Sequence, residues 1–132
     1  MRIYVTHCSC KKDDSLKNTG KSVTPDKLYM GDSIRSFMGK CKAENVTWAI
    51  FSDKYGVWFP EIEHEWYDKS PNDVTSEEFD LLLSSFDQSL QGFEEIWFFR
   101  KPEGLHCFYE RLLNESNLHN RVKIFCDVEQ IQ

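Results

Sequence analysis

Four short apolar runs alternating with helical stripes constrain this chain more than any other feature. Ile3-Tyr4-Val5, Trp48-Ala49-Ile50-Phe51, Ile96-Trp97-Phe98-Phe99 and Val122-Lys123-Ile124-Phe125-Cys126 read as strands, and the unbroken run at Trp48 suits a strand buried on both faces. Between them, Ile34, Phe37, Met38 and Cys41 recur at helical spacing after Gly31. Phe79, Leu82, Leu83, Phe86 and Leu90 do the same behind Thr75-Ser76-Glu77-Glu78, a capping-box sequence, with Gly92 as the stop. Leu105, Phe108, Tyr109, Leu112 and Leu113 form the third stripe. The order βαβαβαβ predicts parallel strands joined by right-handed helical crossovers. The expected fold is α/β, a three-layer sandwich with a four-stranded parallel sheet, its strands near 2–6, 47–52, 95–100 and 121–126. The favoured strand order is 2-1-3-4, with 3-2-1-4 as the alternative.

A chain of 132 residues, 40% hydrophobic and 14% aromatic, predicts one domain over 1–132 with a core that needs no staples. With 16 basic against 22 acidic side chains the net charge is −6, so no global positive field draws the chain to nucleic acid. Charge is uneven: His7 to Lys27 carries five lysines against three aspartates, and Glu61 to Asp80 carries eight carboxylates and one lysine. Arg2-Ile3-Tyr4-Val5-Thr6 is too short for a signal peptide and no stretch approaches a membrane span, so a cytoplasmic protein with no membrane partner and free thiols is expected.

Ligands of open parallel sheets bind beyond the carboxyl ends of the strands, near the point where strand order reverses. In this chain those ends are His7-Cys8-Ser9-Cys10-Lys11-Lys12, Ser52-Asp53-Lys54-Tyr55-Gly56, Arg100-Lys101 and Asp127. The two longest connections, 7–27 and 56–74, leave from the same rim.

The stretch HCSCKKDDSLKNTGKS at the first strand end admits three chemistries. Thr19-Gly20-Lys21-Ser22 resembles the end of a P-loop, but Ser15 stands where the first glycine is required and Val23-Thr24-Pro25 argues for extended chain. Cys8-x-Cys10 beside His7 offers soft ligands, yet there is no CxxC pair and His64, His106 and His119 are scattered, so no metal and no cofactor is expected. A thiol beside lysines would have a depressed pKa and act as a nucleophile, and the same lysines could instead hold an anion with loop N–H groups. A plain packing role for Cys8 stands beside both.

Cys8-Ser9-Cys10-Lys11-Lys12, Leu28-Tyr29-Met30-Gly31-Asp32 before a helix, Trp48-Ala49-Ile50-Phe51-Ser52-Asp53-Lys54-Tyr55-Gly56-Val57, and Pro60 with Trp66-Tyr67-Asp68 together resemble an uncharacterised domain family of bacteria, archaea and phages. Its pattern runs Cys-x-Lys-Lys, Leu-Tyr-x-Gly/Ser, Trp-x-Ile/Leu-Leu-Ser-Ala-Lys-Tyr-Gly-Leu, Pro, Pro-Tyr-Asp. The resemblance covers 1–68 and departs at Phe51, Asp53 and Trp66, where leucine, alanine and proline are usual. It implies no activity. It does mark Cys8, Lys11, Lys12, Tyr29, Ser52, Lys54, Tyr55, Gly56 and Tyr67, residues of the rim or close to it. By fold analogy alone, such small domains are similar to uracil-DNA glycosylase-like enzymes and tRNA base-modification domains.

The expected function is therefore the processing of a nucleotide, nucleoside or nucleic-acid base at an anion-binding rim. Lys11, Lys12 and Lys54 would hold phosphate and Tyr29, Tyr55 or Tyr67 would meet the base, with Ser52 and Gly56 completing the site. Cys8 as nucleophile or Asp53 as general base would supply the chemistry. Within the stretch, Cys8 to Lys12 would be held by the sheet, and Asp13 to Ser22, with Leu16 as its one large apolar anchor, would order only around ligand. Residues 52–56 also read as a plain turn with Gly56 at positive φ, and the tyrosines as core-edge aromatics. The alternative is a non-catalytic protein-interaction or regulatory module using the aromatic-acidic stretch 57–67.

Overall fold

A computed structural model describes residues 1–132. The elements run β1 (Arg2–His7), β2 (Ser22–Val23), α1 (Pro25–Leu28), α2 (Asp32–Glu44), β3 (Trp48–Ser52), β4 (Gly56–Trp58), β5 (His64–Glu65), α3 (Ser76–Leu90), β6 (Glu95–Phe99), α4 (Cys107–Glu115) and β7 (Val122–Phe125). The main sheet is mixed and mostly parallel, in the order β4-β3-β1-β6-β7. β3, β1, β6 and β7 are mutually parallel, so the four expected strands lie second, first, third, fourth.

The four-stranded expectation needs correction, because a fifth strand, β4, pairs antiparallel with β3 through Ile50–Trp58, Phe51–Val57 and Ser52–Gly56. A tight turn makes it: the Ser52 hydroxyl accepts from the N–H groups of Lys54 and Tyr55 at 3.1 and 3.0 Å, and Gly56 closes at φ 74°. A side chain on Gly56 would strike the Ser85 hydroxyl and lie 2.9 Å from Ser85 Cβ, so positive φ and close approach of α3 both require glycine here. Ser85 also accepts the Val57 N–H at 3.3 Å, giving β4 a side-chain partner on α3.

Alternation along β3 explains why all five of its residues are buried. Phe37 of α2 packs against Trp48 and Phe99, whereas Phe86 of α3 and Tyr109 of α4 pack against Phe51, which points the other way from Trp48. The capping box at α3 forms as its sequence predicts. Thr75 accepts from Glu78 N–H at 3.2 Å and the Glu78 carboxylate accepts from Thr75 N–H at 2.9 Å.

Residues 13–22, expected to lack order without ligand, have local structure of their own. Asp13 accepts from the backbone and hydroxyl of Ser15 at 3.0 and 2.7 Å, starting a 3-10 turn at Asp14–Leu16. Ser22 and Val23 then pair with Glu65 and His64 in a separate two-stranded ribbon, and Lys17 sits 5.1 Å over the Trp66 ring. Local caps and a partner from a distant loop supply the order that one apolar anchor would not.

Candidate functional site

Cys8 is carried to the rim by an extension of the β1–β3 ladder, its N–H donating to the Phe51 carbonyl at 2.9 Å. The chain then returns beside Tyr29, where Met30 N–H donates to Lys11 O at 2.9 Å and Asp13 N–H to Leu28 O at 2.8 Å. These bonds bring the amino end of α2 against Ser9. A Cβ on Gly31 would strike the Ser9 hydroxyl, so glycine allows the approach, and α2 starts there with no side-chain cap on its first N–H groups. A pocket of about 240 Å³ opens at this place. Its walls are Cys8 to Cys10, the start of α2, Asp53 beyond β3, residues 69–71, Lys101 beyond β6, and His106 and Tyr109 of α4 with its cap. The pocket lies between the carboxyl ends of β3, β1 and β6, where strand order reverses.

Asp53 is the most unusual group in that wall. It is 2% exposed, and neither carboxyl oxygen has a donor at hydrogen-bonding geometry. Burial raises its pKa; the nearby Cys8 thiol, Lys12 ammonium and Tyr67 hydroxyl pull it back without cancelling the effect. Buried carboxyls are ordinarily paired or hydrogen-bonded, and Asp53 departs from that rule on both oxygens.

Cys8 corrects an expectation. Burial, reinforced by Asp53, pushes its thiol up to about 11, where a nucleophile beside lysines would be depressed. Sγ lies 3.3 Å from the Tyr109 hydroxyl, and Cys8 belongs to the hydrophobic core. It forms pocket wall as a neutral thiol. His7 stacks on Tyr109 with centroids 4.6 Å apart, its Nδ1 2.8 Å from the Cys8 carbonyl. Burial holds the His7 pKa below its usual value, so the ring is neutral at pH 7.

Of the ten residues expected to form the site, the pocket brings together Cys8 and Asp53. Tyr29 and Tyr67 are 0% and 3% exposed, with no ring face open to a base. Their hydroxyls are 2.5 Å apart, and Tyr67 also accepts from buried Ser52 at 3.1 Å. Tyr55 stacks on His64 at 3.9 Å and donates to Glu65 O at 2.9 Å. Lys12 lies 4.4 Å over the Tyr67 ring and Lys54 5.4 Å from the Tyr55 centroid, both directed at aromatic rings outside the pocket wall. Lys11 is exposed and Gly56 belongs to the turn. Of these, Lys12 and Tyr67 lie close enough to Asp53 to act on its carboxyl.

The sequence reading missed Lys69, Ser70, His106 and Tyr109 as pocket residues, and named His7 and Lys101 only as rim positions. Lys69 is tied to Glu78 at 2.5 Å, whereas Lys101 enters none of the six ion pairs. The signal for Lys101 was its place one residue past the third strand end. Tyr109 gave no separate signal, because its spacing is that of a core stripe. No family model matches the chain, and neither a curated protein nor a solved structure matches it.

Proposed function

We propose that the rim pocket binds a nucleotide or nucleic-acid base and that Asp53 is its acid–base group. The carrying observation is the pairing, in one pocket, of a buried carboxyl without partners and a helix amino end without a side-chain cap. An uncapped helix start favours an anion, and Lys101, which enters no ion pair, supplies a positive group for phosphate against the opposing carboxylate of Asp32 in the same wall, while His106 is held by Phe108 N–H and Asn72. Asp53 requires the opposite, a ligand edge carrying N–H. A phosphate and a base on one small molecule meet both demands. A proton taken from that edge by Asp53 and returned to it is general acid–base chemistry of the kind a raised carboxyl pKa suits.

The phosphate role thus moves from Lys11, Lys12 and Lys54 to Lys101 and the start of α2. The likeness of residues 1–68 to the phage and prokaryotic domain family remains part of this proposal, because three of that family's motif residues, Cys8, Lys12 and Tyr67, neighbour Asp53. The alternative of a protein-interaction module loses most of its anchors. Trp58 and Tyr67 are buried and Tyr55 is stacked, leaving Ile62 as the large apolar side chain exposed in that stretch. No helix is long and apolar enough to cross a membrane.

Calorimetric titration with nucleoside monophosphates in low salt tests the proposal. Binding is expected, and Lys101→Ala should weaken it about tenfold or more, the scale of one lost bond to a charged group. Failure of every nucleotide, nucleoside and base to bind, or binding indifferent to both Lys101→Ala and Asp53→Asn, would overturn it.

A further inference from the structure

We propose that His7 is a proton acceptor of the pocket, its Nε2 taking a hydrogen bond, and in a reactive step a proton, from an N–H or O–H of the bound nucleotide. This rests on the nucleotide reading of the same pocket. The observation behind it is that the two ring nitrogens have opposite surroundings. Nδ1 lies 2.8 Å from the Cys8 carbonyl oxygen, which can only accept, so Nδ1 carries the hydrogen and Nε2 the lone pair. Nε2 bonds to no group of the protein, yet it is not closed off as the two Asp53 oxygens and Trp66 Nε1 are. An acceptor stands open with its tautomer already chosen.

The ring is also held in place. His7 is the last residue of β1, in register with Phe51 of β3, and one ring face stacks on Tyr109 at 4.6 Å and 19°. With that face covered and the Nδ1 edge tied to Cys8, the edge bearing Nε2 is what His7 presents to the pocket it lines. An imidazole fixed through one nitrogen and free at the other is the arrangement a general base needs. Burial disfavours the imidazolium most, Lys101 and His106 add to it, and the Cys8 carbonyl works the other way without cancelling them. Of the other charged groups in the wall, Asp32 and Asp53 make no hydrogen bond to the ring, and Lys69 is paired with Glu78. His7 therefore meets a ligand as a neutral acceptor at pH 7. In the transfer the ligand N–H or O–H bond breaks, its electron pair stays on the ligand, and the new Nε2–H bond makes an imidazolium whose Nδ1–H remains on the Cys8 carbonyl. Lys101 opposes that charge, so the proton is passed back or onward and not kept.

Nitrogen NMR of the unaltered protein with isotope-labelled histidine tests the inference. At pH 7.5 the His7 ring should carry hydrogen on Nδ1 and none on Nε2, and saturation with whichever of AMP, GMP, CMP and UMP binds best should move the Nε2 resonance toward its protonated position. His7→Asn keeps an N–H for the Cys8 carbonyl and removes the second nitrogen. Its affinity for that nucleotide should fall about tenfold or more, with circular dichroism unchanged. The matching uncharged nucleoside should bind the parent more weakly as pH falls below the ordinary histidine value of 6.5, because the lone pair becomes protonated, and His7→Asn should lose that dependence. Hydrogen on Nε2 in the free protein, an Nε2 resonance that does not move at saturation, or nucleoside binding that strengthens on acidification overturns the acceptor role. If nucleotide binding still depends on Lys101 in that case, the nucleotide pocket stands and only the role of His7 falls. If no nucleotide binds, both fall together.

Discussion

Replacing Asp53 with asparagine should make the protein more stable while removing its acid–base group, and the gain should depend on pH in a defined direction. Asp53 is 2% exposed with no donor on either oxygen, and leaving a charged carboxylate buried without a partner costs more than leaving a neutral amide there, by about 1–3 kcal/mol. Asparagine keeps the shape and removes the charge. At about 4 °C per kcal/mol for a chain of this size, the midpoint of unfolding should rise by ~4–12 °C at pH 7.5. The sign follows from linkage. Burial raises the folded pKa of Asp53 above its ordinary 3.8, so between that value and the folded one the native state holds more protons than the unfolded. Its stability contribution is full below pH 3.8 and is lost as pH climbs through the folded pKa. The Asp53→Asn gain should therefore be greatest at pH 7.5 and shrink on acidification. Thermal unfolding followed by circular dichroism across that range measures it. A variant less stable than the parent at pH 7.5, or a gain that does not vary with pH, would refute the reasoning and make Asp53 a structural residue.

Gly56→Ala should destabilise by about 2–4 kcal/mol in denaturant titration, the sum of a left-handed alanine and a displaced Ser85 that loses its bond to Val57 N–H. A cost under roughly 0.5 kcal/mol would mean the turn is not so constrained. Tyr67→Phe should cost about 1–3 kcal/mol, because the Tyr29 and Ser52 hydroxyls both lose a buried partner; an unchanged denaturation midpoint would discount the network. Alkylation followed by mass spectrometry at pH 8 should modify exposed Cys10, Cys107 and Cys126 quickly and Cys8 and Cys41 only on unfolding. With its pKa at about 11, Cys8 is thiolate in about one molecule in a thousand at that pH. Rapid labelling of Cys8 would restore the nucleophile.

The parallel strands and their order were legible because each is a run of at least three apolar residues separated by a helical stripe, and chirality leaves few ways to connect them. β4 was not, since Gly56–Trp58 is three residues long and follows β3 too closely to register as a separate run. The ribbon of β2 and β5 has two residues per strand and no periodicity at all. For the site, position was readable and direction was not. Cys8 and Asp53 stand just past strand ends, and the pocket is there. Lys12 and Lys54 stand at the same rim, but their side chains run onto the Tyr67 and Tyr55 rings, a consequence of turn geometry that residue type does not encode. Tyr109 sits where a core residue would, and its approach to the end of β1, where its ring stacks on His7 and its hydroxyl meets Cys8, is set by tertiary packing that spacing does not encode.

The resemblance motifs take on a second meaning once their bonds are traced. Ser52 holds the turn by accepting from two N–H groups and donates its own hydroxyl to Tyr67, which is paired with Tyr29, which is fixed by the return of residues 11–13 along the chain. Lys12 and Lys54 close over the outer side of Tyr67. Residue 53 lies at the centre of this arrangement. A carboxyl without partners would swing toward water if the backbone allowed it, and keeping it inside requires neighbours that fix the turn from several directions. Serine, two tyrosines, two lysines and a glycine do that in this chain, so the motif residues that lie outside the pocket wall fix the turn that carries Asp53.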